Sequence, residues 1–346
     1  MRSSGGQYFA GLDHVRGLAA FLVVSWHFIH WSNGIPVPFN RDWWLGPFDE
    51  GHVGVSVFMT LSGYLFAKLI GDRRIDYGGF LWNRIIRLFP LLMLTMAVYG
   101  WLHGFSALAV VLGVIEGMVF PILPNGGWSI TAELHFYLVL PLLLAALRRD
   151  WRWAGGLLAL SIGGRLALWA AGVDVQHLAY MTIVGRIDQF VCGIAAWRAR
   201  DLISGKVAVT GLVGLWGFYA WFGWNGGYYG DLPDGWWTVV PAIEGLTIAA
   251  LIAWYDRHPL KDVWVLRKAG QYSYSIYLLH FFFVREAALF VHQRIVPIDS
   301  YWLALPWAVL FFGGMMVVGG FAWKLVEEPP LRWRRPYIRK DPEAAA

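Results

Sequence analysis

Long apolar runs separated by short polar segments dominate the pattern of this 346-residue chain. A helix that crosses a bilayer needs about 20 mainly apolar residues, and ten segments of the chain meet this requirement. The pattern therefore predicts an all-α, polytopic membrane helix bundle with about ten transmembrane helices. The predicted spans lie near residues 14–32, 53–70, 85–103, 128–147, 155–172, 178–197, 207–224, 237–255, 272–292 and 302–325.

The distribution of basic residues orients the predicted bundle. If the N-terminus is cytoplasmic, the loops that face outside hold only Arg41 and Arg294, whereas nearly all other Lys and Arg residues fall in inside-facing segments or at span ends. Cytoplasmic loops of membrane proteins carry an excess of basic residues. We therefore predict a membrane protein with both termini in the cytoplasm and membrane lipid as its surroundings. Because the +5 net charge is spread over these short loops, nucleic acid is not an expected partner.

One apolar run, residues 106–123, does not fit this alternation. Counted as a span, it would place the basic cluster at residues 148–152 outside, so we interpret it as a re-entrant or interfacial segment on the outer side. The membrane domain is predicted over residues 8–326, followed by a cytoplasmic tail over 327–346. No signal peptide and no extracytoplasmic hydrolase-like domain is expected.

The outside-facing loops combine aromatic and acidic residues. Aromatic faces stack on the apolar faces of sugar rings and carboxylates accept hydrogen bonds from hydroxyls, so these loops suit a carbohydrate. The alternative is the aromatic belt that membrane proteins place at the bilayer surface. The residues concerned are Trp31, Trp43, Trp44, Trp224, Tyr228, Tyr229, Trp236 and Trp237, with Asp42, Asp49, Glu50, Asp231 and Asp234.

The first predicted span carries an arginine and a histidine eleven residues apart. In a helix this spacing advances about three turns, with about 20° of drift and about 16 Å of rise. Arg16 and His27 therefore share a helix face, with His27 deeper in the membrane. An ionisable residue inside a span indicates function by default. The alternative is that His27 only forms a hydrogen bond with a neighbouring helix.

Two further arginines begin the third predicted span. Arg84 and Arg87 are three residues apart and share a helix face, at the same depth as Arg16. Three guanidinium groups at one depth suit a ligand that carries phosphate. The alternative is that they only anchor the helix on the cytoplasmic side.

Polar residues also interrupt three later spans. Glu133 and Tyr137 lie four apart on one face of a predicted helix, and an intramembrane carboxylate needs a partner or a water-filled cavity. Tyr277 and His280 belong to one stripe with Ser273, for which a hydrogen-bonded helix seam is the alternative. Within the predicted span near 178–197, we expect Arg186 and Asp188 to form a buried architectural pair.

Several motifs occur in one order along the chain and together carry a resemblance. They are the Arg16 and His27 spacing, Phe58-Met59-Thr60-Leu61-Ser62-Gly63-Tyr64, Arg84-Ile85-Ile86-Arg87, Trp128-Ser129-Ile130-Thr131-Ala132-Glu133, Arg186-Ile187-Asp188-Gln189-Phe190 and Tyr272-Ser273-Tyr274-Ser275-Ile276-Tyr277-Leu278-Leu279-His280. Over residues 8–326 the chain resembles the acyltransferase-3 family of bacterial integral-membrane O-acyltransferases. The resemblance implies a ten-helix bundle in the bacterial inner membrane. It also implies transfer of an acyl group, usually acetyl from cytoplasmic acetyl-CoA, to an acceptor hydroxyl at the outer face.

This resemblance suggests roles for the polar residues. We expect Arg16, Arg84 and Arg87 to hold the phosphates of acetyl-CoA or another acyl-CoA. His27 is expected to act as a general base that Glu133 orients. The alternative for Glu133 is that it positions the acceptor. Direct transfer is favoured over an acyl-enzyme, because no serine has an obvious adjacent base. The predicted supporting or acceptor-site residues are Ser62, Tyr64, Trp128, Ser129, Tyr137, Tyr277 and His280.

The acceptor in this hypothesis is a carbohydrate or a lipid-linked glycan. Two alternatives stay open, namely acylation of a secondary metabolite such as a macrolide, and proton-coupled sugar transport. A transporter should show paired, broken helices in two related halves, which the sequence does not reveal. Because the chain has a single cysteine, Cys192, and no Cys/His spacing typical of zinc sites, neither an internal disulfide nor a metal is expected.

Overall fold

A computed structural model describes residues 9–30, 37, 43–229 and 234–338. Its described residues are almost wholly helical, and the β pairing there is a single bridge between Ile75 and Ile338, so the all-α prediction is confirmed. The helices are α1 (Ala10–Ile29), α2 (Val53–Ile70), α3 (Tyr77–Leu102), α4 (Ala107–Val119), α5 (Trp128–Arg149), α6 (Trp153–Ala170), α7 (Val175–Met181), α8 (Ile183–Arg198), α9 (Gly205–Trp224), α10 (Val240–Arg257), α11 (Trp264–Gln271), α12 (Ser273–Leu279), α13 (Val284–Arg294) and α14 (Tyr301–Ala322).

Several of these helices could cross a membrane. Six of the described helices are long and apolar enough, or up to eight if two bent pairs each form one span. The bent pairs are α7 with α8, which meet at 48°, and α12 with α13, which meet at 58°. The chain is therefore a multi-pass membrane protein. The count of ten stays a prediction, because α1 and α10 lie at the other two predicted spans but contain charged residues such as Asp13 and Glu244.

The apolar run at 106–123 forms the short helix α4. Its 13 residues give a length of about 20 Å, less than the roughly 30 Å of a bilayer's hydrocarbon core. The helix packs against α3 and α5, and the hydroxyl of Thr131 donates to the carbonyl of Gly117 at 2.5 Å. The run is thus too short to form a spanning helix, and its placement on the outer side stays a prediction.

The two ends of the bundle differ in chemistry. At the basic end, which we define by Gly71, Arg148 and Arg198, both arginines donate to the carbonyl of Gly71, at 3.2 and 3.3 Å. At the aromatic end, defined by Glu50 and Tyr228, the backbone N–H of Tyr228 donates to the carboxylate of Glu50 at 3.3 Å. The helices run between these ends, so a residue's place along its helix gives its depth.

Glycine lets α2 and α8 approach closely at the centre of the bundle. A Cβ on Gly63 would lie 2.2 Å from the carbonyl oxygen of Phe190, and one on Gly193 would lie 2.1 Å from that of Thr60. No real Cβ tolerates such distances, so only glycine permits this contact. The contact fixes the depth of Ser62, the residue before Gly63.

We expect Gly193→Ala to lower the free energy of unfolding by about 1–3 kcal/mol, because the added methyl group forces α2 and α8 apart. Thermal unfolding in detergent measures the change. The matched control is Gly214→Ala in α9, where an added Cβ meets nothing within 4 Å. That control should be neutral or stabilising by up to about 1 kcal/mol. Equal melting of the two variants would show that the helix contact does not depend on glycine.

The predicted pair between Arg186 and Asp188 does not form, and this expectation was wrong. Asp188 accepts two hydrogen bonds from Arg165 of α6, at 2.6 and 3.2 Å. Arg186 instead lies 3.7 Å from Glu244 of α10. Residues two apart on a helix are separated by about 200° around its axis, so the two side chains of α8 meet different neighbours.

The segment after α14 folds back onto the basic end. A π-helical turn, Trp323–Glu327, leads into a short 3₁₀ helix, Pro329–Trp333, that packs on α3. Asn83 donates to the backbone carbonyl of Arg335 at 2.7 Å and accepts from its N–H at 2.9 Å. Residues 327–338 are therefore packed into the bundle, whereas the rest of the predicted tail lies outside the described residues.

Candidate active site

A cavity of about 120 Å³ lies among α1, α2, α3, α5 and α12. Eight of the twelve predicted site residues line it, although they come from five separate helices. They are Arg16, Ser62, Arg84, Arg87, Ser129, Glu133, Tyr137 and Tyr277. The other lining residues are Val55, Phe58, Met59, Leu88, Ile130, Ser273 and Tyr274.

The three arginines of the cavity differ in their partners. Arg16 lies 3.3 Å from Asp13, one turn earlier on α1. Nη1 of Arg87 lies 2.6 Å from a buried carboxylate, that of Glu327. By contrast, Nε of Arg84 makes no hydrogen bond to any residue that the structure describes. Arg16 and Arg87 are thus paired with carboxylates, whereas the described residues contain no carboxylate partner for Arg84, so its charge is the least neutralised of the three.

Glu133 is held in the cavity wall by hydroxyl groups. Tyr137, one turn further along α5, donates to its carboxylate, and Ser62 of α2 donates to it at 3.4 Å. The pairing of Glu133 with Tyr137 follows from their four-residue spacing on one helix. The contact with Ser62 shows that the motif at residues 58–64 lies against the same carboxylate. That Glu133 orients His27 stays a prediction, since these contacts lead to other partners.

His27 lies next to a second histidine. Its Nδ1 is 2.8 Å from the carbonyl oxygen of Val23 and 3.4 Å from Nε2 of His280. Because a carbonyl only accepts hydrogen bonds, Nδ1 of His27 carries the proton and Nε2 carries the lone pair. Nδ1 of His280 likewise faces the carbonyl of Ile276 at 3.1 Å, so its Nε2 is an acceptor and forms a longer, second contact with the same N–H of His27. The contacts assign Nε2 of His27 as the nitrogen that can take up a proton.

Tyr277 connects the histidine pair to the cavity. Its ring centroid lies 6.1 Å from that of His280, while the side chain also lines the cavity. Its hydroxyl donates to the carbonyl of Gly126 at 3.2 Å. The predicted stripe of Ser273, Tyr277 and His280 thus connects the cavity with the histidine pair. His280 also lies beside the bend between α12 and α13.

Two predicted site residues lie elsewhere. The hydroxyl of Tyr64 donates to Asp256 at 2.8 Å, and Asp256 also binds Lys68 at 2.6 Å. Tyr64 follows Ser62 by two positions and so points away from the cavity that Ser62 lines. Trp128 packs against Tyr180, with ring centroids 4.9 Å apart.

Glu327 belongs to the site, although its place in a predicted tail did not indicate this. Its side chain is fully buried, and it accepts hydrogen bonds from Arg87 and from Ser275. The indole of Trp323 lies 4.9 Å from the Arg87 guanidinium. The available signal was the carboxylate itself, since a Glu directly after a long apolar run requires a cation or water nearby.

The aromatic residues predicted to bind sugar differ in their exposure to solvent. Trp237 is 3% exposed and Tyr228 is partly buried, whereas Trp224 is 59% exposed. Asp49 pairs with His30 at 2.7 Å. Trp31, Asp42 and Asp231 lie outside the described residues, as do the side chains of Trp43, Tyr229 and Asp234.

Buried titratable groups around a cavity in an apolar bundle define a membrane-embedded enzyme rather than a passive anchor. Among the described residues, no group of three or more His, Cys, Asp and Glu side chains could hold a metal ion. The sequence profile of the acyltransferase-3 family, described as an acyltransferase domain, matches residues 9–324. The chain belongs to this family, which confirms the resemblance predicted from its motifs.

Two curated relatives are similar to parts of the chain. "Putative peptidoglycan O-acetyltransferase YrhL" of Bacillus subtilis (strain 168) is 26% identical over 167 residues, which cover 40% of this chain and 24% of that protein. "Putative membrane-bound transacylase BcsY" of Komagataeibacter xylinus is 26% identical over 215 residues, or 54% and 50% of the two chains. The matches thus span a quarter to a half of these relatives' lengths. No solved structure matches the chain.

Proposed function

We propose that the protein moves an acyl group, in the first instance acetyl, from cytoplasmic acyl-CoA to a hydroxyl of a carbohydrate at the outer face of the bacterial inner membrane. The observation that carries the proposal is the cavity that gathers Arg16, Arg84 and Arg87 in a member of an acyltransferase family. In this arrangement the basic end faces the cytoplasm, in agreement with the distribution of basic residues.

The donor accounts for the arginines. Coenzyme A carries phosphates, which guanidinium groups bind through charge-assisted hydrogen bonds. A cavity of about 120 Å³ is too small for the whole donor, so the phosphates would lie at the basic end and only the narrow thioester arm would enter. Arg84 is the leading phosphate ligand, because Arg87 is already paired with Glu327.

The histidine pair accounts for the activation of the acceptor. Nε2 of His27 would take the proton from the acceptor hydroxyl as that oxygen attacks the thioester carbonyl, and the resulting imidazolium would return the proton to the departing thiolate. Hydroxyl donors such as Ser62 and Tyr277 are candidates to stabilise the oxyanion. This route transfers the acyl group directly and forms no acyl-enzyme.

A carbohydrate acceptor is supported by the name of the Bacillus subtilis relative, which refers to peptidoglycan. The two bent helix pairs support the transport alternative, because broken helices also occur in transporters. Membership of an acyltransferase family favours acyl transfer.

We expect purified protein to transfer label from acetyl-CoA to a carbohydrate, and Arg84→Ala to raise the KM for acetyl-CoA about 10- to 100-fold. A lost charge-assisted hydrogen bond has an effect of this size. Initial rates against acetyl-CoA, and against S-acetylpantetheine, which lacks the phosphates, provide the measurement. The KM for S-acetylpantetheine should not change.

The control for this substitution is Arg74→Ala, which alters an exposed arginine of the same end and should leave both KM values unchanged. An equal effect of the two substitutions would mean that Arg84 contributes only general positive charge. If the wild-type protein transfers no label to any carbohydrate, the proposed function is wrong.

A further inference from the structure

A second cluster of buried polar side chains lies at the aromatic end, outside the arginine-lined cavity. It consists of Glu50, His52, Arg186 and Glu244, each no more than 2% exposed. These residues come from α8, α10 and the turn before α2. Burying such groups is unfavourable unless each finds hydrogen-bond partners, so the partners of each member decide what the cluster does.

Arg186 has partners on two of its three nitrogens. Nε donates to the carbonyl of Tyr180 at 2.8 Å and Nη1 donates to the hydroxyl of Ser56 at 2.8 Å. Nη2 makes no hydrogen bond to the described part of the chain. Glu244, which accepts hydrogen bonds from Gln189 and Tyr219, approaches Arg186 at Nη1, at 3.7 Å, and not at Nη2.

His52 presents a second open position. Neither of its ring nitrogens forms a hydrogen bond within the described ranges, although Nδ1 lies 3.2 Å from the Glu50 carboxyl group. Burial and the neighbouring Asp49 carboxylate raise the pKa of Glu50 to about 8, so Nδ1 of His52 faces a group that can carry a proton for it, and Nε2 is the ring nitrogen that stays open. Nearly all buried polar atoms in proteins have a partner. Open positions on two neighbouring side chains therefore indicate a polar ligand.

Aromatic rings surround His52. Its ring centroid lies 5.1 Å from that of Tyr228, 5.6 Å from that of Tyr180 and 6.4 Å from that of Trp237. The guanidinium of Arg186 lies 4.4 Å from the Tyr180 ring. Aromatic faces next to polar donors match a sugar ring, which has apolar faces and a rim of hydroxyls.

This second cluster borders both the arginine-lined cavity and the histidine pair. Ser56, which accepts a hydrogen bond from the cluster's arginine, follows Val55 of the cavity wall. The indole of Trp26 contacts the ring of His52 at 5.8 Å and the ring of His27 at 4.8 Å. A ligand in the cluster would therefore lie one side chain away from the candidate base.

We propose that this cluster is the acceptor subsite and binds a neutral pyranose ring, with Arg186 and His52 forming hydrogen bonds to its hydroxyls. The inference rests on the proposed function and extends it to a substrate class. A neutral sugar is favoured over an anionic one because the positive charge of Arg186 is balanced by Glu244 at 3.7 Å. A second anion would lack a compensating cation there.

The test substitution is His52→Phe, which keeps an aromatic ring of similar shape and removes both ring nitrogens. We expect it to raise the KM for methyl β-glucopyranoside or a neutral β-glucan oligosaccharide about 10- to 100-fold, while the KM for acetyl-CoA stays unchanged. His103→Phe, at an exposed histidine, is the matched control. Trp237→Leu, which removes one of the aromatic rings around His52, should also raise the KM for the neutral sugar.

The possible outcomes separate the two proposals. If His52→Phe and Trp237→Leu fold, as melting shows, and keep the wild-type KM for the acceptor, the cluster is architectural and the subsite is refuted while the acyltransferase proposal stands. Preference for methyl β-glucuronide over the glucoside would refute the neutral-sugar assignment. If the wild-type protein acylates another carbohydrate but none of the neutral sugars, the subsite assignment is refuted and the acyltransferase proposal stands. If it acylates no carbohydrate at all, both proposals are refuted.

Discussion

Replacing His27 by alanine is expected to lower kcat for acyl transfer by about 10²–10⁴-fold, the usual contribution of a general base. The contact with the Val23 carbonyl places the proton of His27 on Nδ1, and in the proposed mechanism Nε2 accepts the hydroxyl proton. Without it, the acceptor oxygen attacks while still protonated. Initial rates at saturating acetyl-CoA and acceptor measure the loss.

Two comparisons make this result specific to His27. His103→Ala removes an exposed histidine at the end of α3 and should retain wild-type kcat. Binding of acetyl-CoA to His27→Ala should also be retained, because the arginines that we propose as phosphate ligands are on other helices or near the start of α1. Wild-type kcat in His27→Ala would place the base elsewhere and leave the histidine pair with a structural role.

Arg87→Ala is expected to lower the free energy of unfolding by about 3–5 kcal/mol, the cost of removing one partner of a buried ion pair. The substitution leaves the Glu327 carboxylate, which is fully buried, with Ser275 as its remaining hydrogen-bond donor among the described residues. Thermal and denaturant unfolding in detergent, at one fixed pH, measure the change.

The double variant Arg87→Met with Glu327→Leu should recover most of this stability, because buried pairs can often be replaced by apolar residues of similar size. Arg84→Ala provides the matched comparison on the same helix face. It should melt close to the wild type, since no ion pair of Arg84 occurs among the described residues. Equal destabilisation by the two alanine substitutions would contradict the difference between these arginines.

The Arg84 and Arg87 pair shows how far spacing can lead. Three residues apart on a helix, they were correctly expected on one face, and both line the cavity. Spacing could not indicate that Arg87 forms an ion pair with Glu327, which is 240 residues away in the sequence. The same motif therefore contains one arginine open to a ligand and one that holds the C-terminal segment against α3.

The helices themselves were largely predictable. The bilayer admits a single regular backbone for a spanning segment of this kind, so length and apolarity suffice to find it. The predicted span at 53–70 coincides with α2 (Val53–Ile70), and the run at 106–123 is too short in its helical part to span. The bends at α7–α8 and α12–α13 were not predictable, because neighbouring helices satisfy the backbone groups that a bend releases.

The amino-acid sequence by itself determined the all-α architecture, the membrane class and the family, because these depend on composition and on short motifs in a fixed order. It also indicated eight of the residues that line the cavity. Only the tertiary structure decided the partners: His280 beside His27, Glu327 on Arg87, and Arg165 rather than Arg186 on Asp188. Side-chain pairing across helices depends on how the helices rotate and pack against one another. Residues as far apart as 253 positions meet only when that packing is complete.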